Sequence, residues 1–364
     1  TYGFLPSSLV SFVCWLFMTL TGLLILEVTL WMEEGAHVIS MTKRFLGRVG
    51  EVCCGGAFVF LYYCLLVSYY AGGAPLLGKG LVALGIAAPP SIEHLLFGLL
   101  FSGIVFAGAR AVDRLNQVLV LGMLISYVLL VLVGSQGIQE ALLSFRQWKG
   151  VYFVAPTLFG AYGFHNIIPS MTNYLNRNVA HLRLAILGGT TITFIVYGLW
   201  QGVVLGSVDR DALVVAREQG VSVVSALETV TNGTWLPMLG SFFALFALVT
   251  SLLGVSFSMV DFLGDGLSIK NRHGKARALL CVLVFVPPLI LSLLNPGIFV
   301  GAMGAAGGFG EAFLNGLVPI SMVWIGRYRM GLQTQVGIPG GRALLILLAL
   351  ITTAVIAIET WSVL

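Results

Sequence analysis

Ten long apolar runs follow one another along the chain, and they limit the fold more than any other feature of the sequence. A run of about 20 apolar residues is long enough to cross the hydrocarbon core of a bilayer as a helix. A transmembrane barrel would instead show alternation within segments of about ten residues. The sequence therefore predicts an all-α polytopic membrane protein, with 1–364 as a single transmembrane domain. The runs are Leu5–Trp31, Cys53–Ala74, His94–Ala109, Val118–Val133, Val151–Met171, Leu184–Val208, Trp235–Leu263, Ala276–Leu294, Phe299–Ile325 and Ala343–Ile358.

The composition excludes several classes of function. Charged residues make up 9% of the chain and apolar residues 58%, whereas soluble domains carry roughly 25% charged residues. Much apolar surface must therefore face the lipid bilayer, and the net charge of +4 does not indicate nucleic-acid binding. The five cysteines show no CxxC spacing, so neither a metal site nor a disulfide framework is expected. Serine-hydrolase, metalloprotease and Walker motifs are absent from the sequence, which argues against an enzyme or an ATP-driven pump.

The basic residues predict the orientation of the spans. Of the 19 lysines and arginines, 14 lie in the loops after the odd-numbered runs and 5 lie in the opposite loops. Because cytoplasmic loops carry the excess of positive charge, the first set predicts the inner face of a cytoplasmic membrane. Both chain ends would then lie outside, and we therefore expect one further span upstream. The 14 are Lys43, Arg44, Arg48, Arg110, Arg114, Arg177, Arg183, Lys270, Arg272, Lys275, Arg277, Arg327, Arg329 and Arg342; the 5 are Lys79, Arg146, Lys149, Arg210 and Arg217.

The fifth run contains a cluster of residues that weaken a regular helix. Gly160 and Gly163 are followed by His165-Asn166 and by Pro169. We predict that the helix is interrupted between Phe159 and His165, because a broken helix offers backbone groups that can bind a substrate at mid-membrane. Close helix packing at the two glycines is the alternative. The candidate substrate-binding residues are Phe159, Gly160, Tyr162, Gly163, Phe164, His165 and Asn166, together with Tyr62 from the second run.

Three ionisable residues inside the runs are candidates for coupling to a proton. An ionisable side chain within a span indicates function by default, and Glu311 follows a series of glycines that otherwise fits close helix contact. His165 carries an imidazole, which titrates near neutral pH in water, although a neutral histidine in a polar cavity is equally consistent. Glu27 lies towards the cytoplasmic end of the first run. It could release a proton inward or simply be solvated there.

Three segments of the sequence resemble the aromatic amino acid permease family, the hydroxy and aromatic amino acid permeases of the amino acid–polyamine–organocation superfamily. They are Leu23–Val28, Lys43–Gly47 and Phe159–Ser170, and the resemblance covers essentially the whole chain. It implies a leucine-transporter-like fold of two inverted five-helix repeats, with ten of the family's eleven spans present and the first span missing. Residues 1–150 would be the remainder of the first repeat, 151–330 the second repeat and 331–364 an extra C-terminal helix. The resemblance also implies that Gly160 to Asn166 lie at the substrate site and that transport is coupled to protons.

The expected function is import of an aromatic amino acid by proton symport, with tyrosine as the first substrate and tryptophan as the next. No cofactor is expected beyond the proton gradient, and the sequence leaves the oligomeric state open. One alternative is a Na⁺-coupled symporter of a small polar amino acid, with hydroxyl ligands from Ser251, Ser256 and Ser258. A channel or a structural membrane protein is the alternative of another class. It is less favoured because the sequence shows neither rings of charge nor a repeated pore loop.

Overall fold

The computed structural model describes residues 2–218, 235–267, 269 and 273–364, and within these ranges it contains helices and no β-strand. Nine of the described helical segments are long and apolar enough to cross a membrane, with Phe299–Tyr328 counted as one, and they coincide with nine of the ten predicted runs. The all-α polytopic prediction is confirmed. The helices are α1 (Phe4–Leu30), α2 (Val38–Ala83), α3 (Pro90–Ala107), α4 (Ala109–Gly134), α5 (Glu140–Ser144), α6 (Ala155–Ala161), α7 (Ile168–Tyr174), α8 (Val179–Ser207), α9 (Arg210–Glu218), α10 (Trp235–Gly266), α11 (Gly274–Leu294), α12 (Phe299–Ala305), α13 (Val318–Tyr328) and α14 (Gly341–Val363).

The second helix extends well beyond the apolar run that predicted it. It begins at Val38 and continues to Ala83, with a kink at Gly47, where φ is 71°. A left-handed backbone at this position suits glycine, because a Cβ would strain it. The apolar run underestimates the helix because hydropathy identifies only the part that faces lipid or core. The polar turns that continue the same hydrogen-bond ladder carry no such signal.

The fifth run is the one that does not form a continuous helix. It consists of a 3₁₀ turn (Val151–Val154), α6, a non-helical stretch from Tyr162 to Phe164, a second 3₁₀ turn (His165–Ile167) and α7. The predicted interruption is confirmed. Pro169 lies in the first turn of α7. Proline is tolerated there because the first N–H groups of a helix have no partner within it, but without an N–H it cannot continue the hydrogen bonds of α6.

The ninth run lies at the centre of the molecule and changes its helical type on the way. Between α12 and α13 the chain is π-helical over Ala306–Leu317, and most of this run is buried, as is most of α1. A Cβ on Gly307 would collide with the carbonyl oxygen of Pro156 in α6. The predicted close packing is therefore confirmed at Gly307, whereas a Cβ on Gly301 would have no neighbour within 4 Å among the described residues. The division into inverted repeats and the further span upstream stay predictions.

Candidate functional site

The interruption of the fifth run leaves backbone groups outside any regular ladder. Between α6 and the second 3₁₀ turn, Gly163 donates only a long hydrogen bond of 3.4 Å to the Gly160 carbonyl. Gly163 and Asn166 are exposed, while Tyr162 and His165, which alternate with them, are buried. Inside a membrane, irregular backbone is tolerated only where it is buried in protein or lines a cavity. The interruption is therefore a candidate binding site.

Glu311 lies directly against the interruption. Its side chain is only 6% exposed, and a Cβ added to Gly163 would collide with its carboxylate. Asn315, one turn further along the same helix, donates its side-chain amide to the Glu311 carboxylate. The absence of a side chain at Gly163 is thus what allows a buried carboxylate to approach the broken backbone.

Two tyrosines of α2 lie near this carboxylate. The hydroxyls of Tyr62 and Tyr69 are both close enough to Glu311 to interact with it electrostatically. Tyr62 also interacts with the side chain of Asn166 beyond the interruption, and Tyr69 with that of Ser251 in α10. The structure therefore joins α2, α10, the π-helical segment and the interrupted run in one polar cluster within an otherwise apolar protein.

One face of the π-helical segment serves both packing and the polar cluster. Gly307 meets α6 at Pro156 and Gly160, and Glu311 meets Gly163 just beyond α6. π-helical turns widen the ladder to i→i+5 bonds and occur frequently at functional sites. Residues four apart lie on the same face of a helix, so Gly307 and Glu311 are both directed at the same neighbouring segment.

Four other predicted site residues lie in the walls beside the cluster. Phe159 is 1% exposed and stacks on the ring of Phe17 at 4.8 Å, and Gly160 packs against the π-helical segment. The Tyr162 hydroxyl is hydrogen-bonded to Ser11 at 2.7 Å. The Phe164 ring fills the space opposite Gly22, where an added Cβ would lie 2.5 Å from it. Their contacts are those of helix packing, and a role in substrate binding stays a prediction.

His165 forms a buried contact that the sequence did not predict. Its side chain is 1% exposed, and its Nε2 lies 2.8 Å from the hydroxyl of Thr21 in α1. Its other nitrogen, Nδ1, is buried and has no hydrogen-bond partner. Thr21 gave no signal in the sequence because α1 carries several threonines in an apolar run. Asn315 could have been found, since residues four apart on a helix are neighbours.

Glu27 forms a buried ion pair rather than a solvated site. The residue is 0% exposed, and both of its carboxylate oxygens accept from Arg327 of α13, at 2.7 Å from Nε and 2.5 Å from Nη2. The alternative of a solvated carboxylate near the cytoplasmic surface is therefore wrong. A bidentate guanidinium holds the charge of this carboxylate in place, so Glu27 is better suited to joining α1 to α13 than to exchanging a proton.

We expect Glu27→Gln to destabilise the protein without uncoupling transport. Removing one partner of a buried ion pair leaves the other charge uncompensated, at a cost of about 3 kcal/mol or more. The Arg327 side chain is only 11% exposed. Unfolding in detergent micelles measures the loss, and Glu51→Gln is the matched control. That change breaks the exposed Lys43–Glu51 pair and should alter the free energy of unfolding by less than about 1 kcal/mol. Equal stability of the two variants would contradict the assignment.

The three serines considered as Na⁺ ligands do not share one face of α10. The Ser256 hydroxyl is buried and donates to the Leu252 carbonyl of its own helix at 2.6 Å. Ser251 and Ser258 are exposed on another face, and Ser251 interacts with Tyr69. The described residues contain no cluster of three or more histidine, cysteine or acidic side chains that could hold a metal ion. Na⁺ coupling through these three hydroxyls together is not supported by this geometry.

Comparison with known proteins gives one consistent result. Residues 1–359 match the model of the tryptophan/tyrosine permease family. A tyrosine-specific transport system 1 from Haemophilus influenzae is 30% identical over 318 residues, which cover 86% of this chain and 78% of that protein. A tryptophan-specific transport protein from Pseudomonas aeruginosa is 31% identical over 328 residues, covering 87% of this chain and 78% of that protein. A tyrosine permease from Enterobacter agglomerans is 26% identical over 305 residues, covering 80% and 73%.

Proposed function

Because the chain belongs to the tryptophan/tyrosine permease family, we propose that it imports an aromatic amino acid across the cytoplasmic membrane by proton symport. Tyrosine is the first substrate and tryptophan the second. The phenol of tyrosine both donates and accepts hydrogen bonds, whereas the indole N–H of tryptophan only donates. Both side chains therefore carry a donor that phenylalanine lacks, and both amino acids occur in the names of relatives that this chain resembles.

The observation that carries the proposal is the position of Glu311 against the broken backbone. Ionised carboxylates buried away from water and from cations are energetically costly. Among the described residues, the side chains that interact with Glu311 are neutral: Asn315, Tyr62 and Tyr69. A bound proton removes this cost. Among the three candidates, Glu27 already has Arg327 as a partner and His165 contacts Thr21. Glu311 is therefore the proton carrier in the proposed mechanism.

Substrate and proton would bind in the same place. The amino and carboxylate groups of the amino acid bind to the unpaired backbone around Gly163, in a span without lysine or arginine at its centre. The carboxyl group of Glu311 lies beside them. In the leucine-transporter-like architecture that we propose, with 151–330 as the second inverted repeat, opening to either side of the membrane then exposes both sites together. The closed state is less favourable when Glu311 is ionised and the substrate site is empty than when Glu311 is protonated and substrate is bound. Proton and substrate movements are therefore coupled.

Uptake into proteoliposomes tests the proposal. An inward proton gradient, imposed without Na⁺, should drive accumulation of radiolabelled tyrosine above its external concentration, and a protonophore should abolish it. Unlabelled tryptophan should compete, and serine should not. Accumulation that requires Na⁺ and is inhibited by serine would favour the small-polar-substrate alternative. A flux that never exceeds equilibrium under any gradient would favour a channel.

A further inference from the structure

The hydrogen bonds of Thr21 determine the protonation of His165. The single hydroxyl proton of Thr21 has backbone acceptors in its own helix, the carbonyls of Phe17 at 3.1 Å and Met18 at 3.3 Å. If that proton points to these carbonyls, the hydroxyl oxygen is free to accept from Nε2–H of His165, 2.8 Å away. The opposite arrangement would place the histidine proton on Nδ1, where it would be buried without an acceptor. Orphaned N–H groups are rarer in proteins than unsatisfied acceptors. Thr21 therefore holds the Nε2–H tautomer.

In this tautomer the buried Nδ1 of His165 is a hydrogen-bond acceptor with no partner in the protein. Buried polar atoms nearly always have a partner, and an exception calls for a specific explanation such as a ligand or a bound water. The acceptor is uncharged and its neighbourhood is aromatic. The Phe164 ring lies 4.8 Å from the imidazole and occupies the space left by Gly22. A neutral acceptor among aromatic rings suits a neutral donor on another ring better than a hydrated ammonium group.

We propose that Nδ1 of His165 accepts the hydrogen bond of the substrate's aromatic side chain, the phenol O–H of tyrosine or the indole N–H of tryptophan. Thr21 is the positioning residue that keeps Nδ1 able to accept. The inference depends on the proposed function and adds a rule of specificity to it. Phenylalanine has the same ring without a donor, so it leaves Nδ1 unpaired. A site that hydrogen-bonds a substrate hydroxyl rejects the analogue without that hydroxyl by about 10⁴-fold or more.

Competition against radiolabelled tyrosine uptake by the protein in proteoliposomes tests this rule. In the wild type, phenylalanine should be at least about a hundredfold weaker as a competitor than tyrosine or tryptophan. Thr21→Val removes the acceptor for Nε2–H, so nothing holds the Nε2–H tautomer any longer and Nδ1 can carry the proton. Tryptophan, which can only donate, should then lose at least about tenfold in affinity. Tyrosine, whose hydroxyl can also accept, should lose less, and phenylalanine should stay unchanged. Thr21→Ser keeps the hydroxyl and should restore the wild-type order.

The matched control is Thr19→Val, two residues away in the same helix. The Thr19 hydroxyl is buried too, but it contacts Thr190 and the Trp15 carbonyl instead of the histidine. This variant should leave the selectivity among the three amino acids unchanged.

A purely structural role for Thr21 would weaken all three competitors equally in Thr21→Val, and that outcome overturns the proposal.

Two substitutions of His165 test the same idea should Thr21→Val fail to fold. Glutamine carries its amide near the position of Nε2 and leaves nothing at Nδ1, whereas asparagine carries its amide near Nδ1. Discrimination against phenylalanine should therefore be lost in His165→Gln and largely kept in His165→Asn; the reverse order overturns the proposal. A wild-type protein that transports tyrosine but accepts phenylalanine equally well also overturns it, while the proposed function stands. A wild type that takes up no aromatic amino acid refutes the proposed function itself.

Discussion

Replacing Glu311 with glutamine should abolish uphill accumulation of tyrosine while preserving exchange of internal for external tyrosine. Glutamine has nearly the same shape, and its side-chain oxygen can still accept from Asn315, but it cannot release a proton. The substrate site would then behave as if it were permanently protonated. The measurement compares accumulation driven by a proton gradient with exchange at equal concentrations on both sides. We expect accumulation to fall to the equilibrium level, and exchange to stay within about a few-fold of wild type because uniform binding is unchanged.

The control for this prediction is another buried carboxylate in the membrane. Glu359 of α14 is 5% exposed and lies against Gly304 and Gly308 rather than against the interruption. It is hydrogen-bonded by Ser362. Glu359→Gln should therefore accumulate tyrosine as the wild type does. Full accumulation by Glu311→Gln would remove Glu311 as the proton carrier. Loss of exchange together with accumulation would show that Glu311 contacts the substrate instead.

Replacing Gly163 with alanine should reduce transport strongly without unfolding the protein. The new methyl group would displace the Glu311 carboxylate, which is buried and held by Asn315. Misplacement of a functional group by about 1 Å can lower activity about a hundredfold, so we expect the initial rate of tyrosine uptake to fall by about ten- to a hundredfold. The measurement is uptake normalised to the amount of monodisperse protein in detergent.

Gly160→Ala provides the comparison three residues earlier. A methyl group there would lie 3.5 Å from the nearest atoms of the π-helical segment, which is ordinary van der Waals contact. Its transport rate should therefore stay close to that of the wild type. If both alanine variants transport normally, the contact between Gly163 and Glu311 has no functional importance. If both lose transport together with folded protein, the two glycines serve only helix packing.

Much of the site could be read from the sequence, and the reasons are local. The weak helix formers around Gly160 and Gly163 and the proline at 169 predicted an interruption that the structure contains. These effects act through the backbone of the same segment, so no knowledge of distant residues is needed. An ionisable residue within an apolar run is equally visible, which is why Glu27, His165 and Glu311 were all identified as candidates.

The roles of those three residues could not be read in the same way. The sequence left Glu27 as either a proton-releasing or a solvated carboxylate, and only its contact with Arg327, 300 positions later, makes it part of an ion pair. The hydrogen bond of His165 is made with Thr21, 144 positions earlier in the chain. Sequence spacing predicts contacts only between neighbours on one helix, whereas the energy of a buried charge depends on whatever lies within a few ångströms in space.

The sequence by itself therefore determined that this chain crosses a membrane through a series of helices and that one of them is broken, because length, hydropathy and backbone preference are properties of contiguous residues. Only the tertiary structure decided which carboxylate faces the break. Gly163 offers no side chain, Glu311 of the π-helical segment lies against that gap, and Tyr62 and Tyr69 of a third helix interact with Glu311. Packing between segments far apart in the chain makes that selection, because a single methyl group on Gly163 would collide with the Glu311 carboxylate.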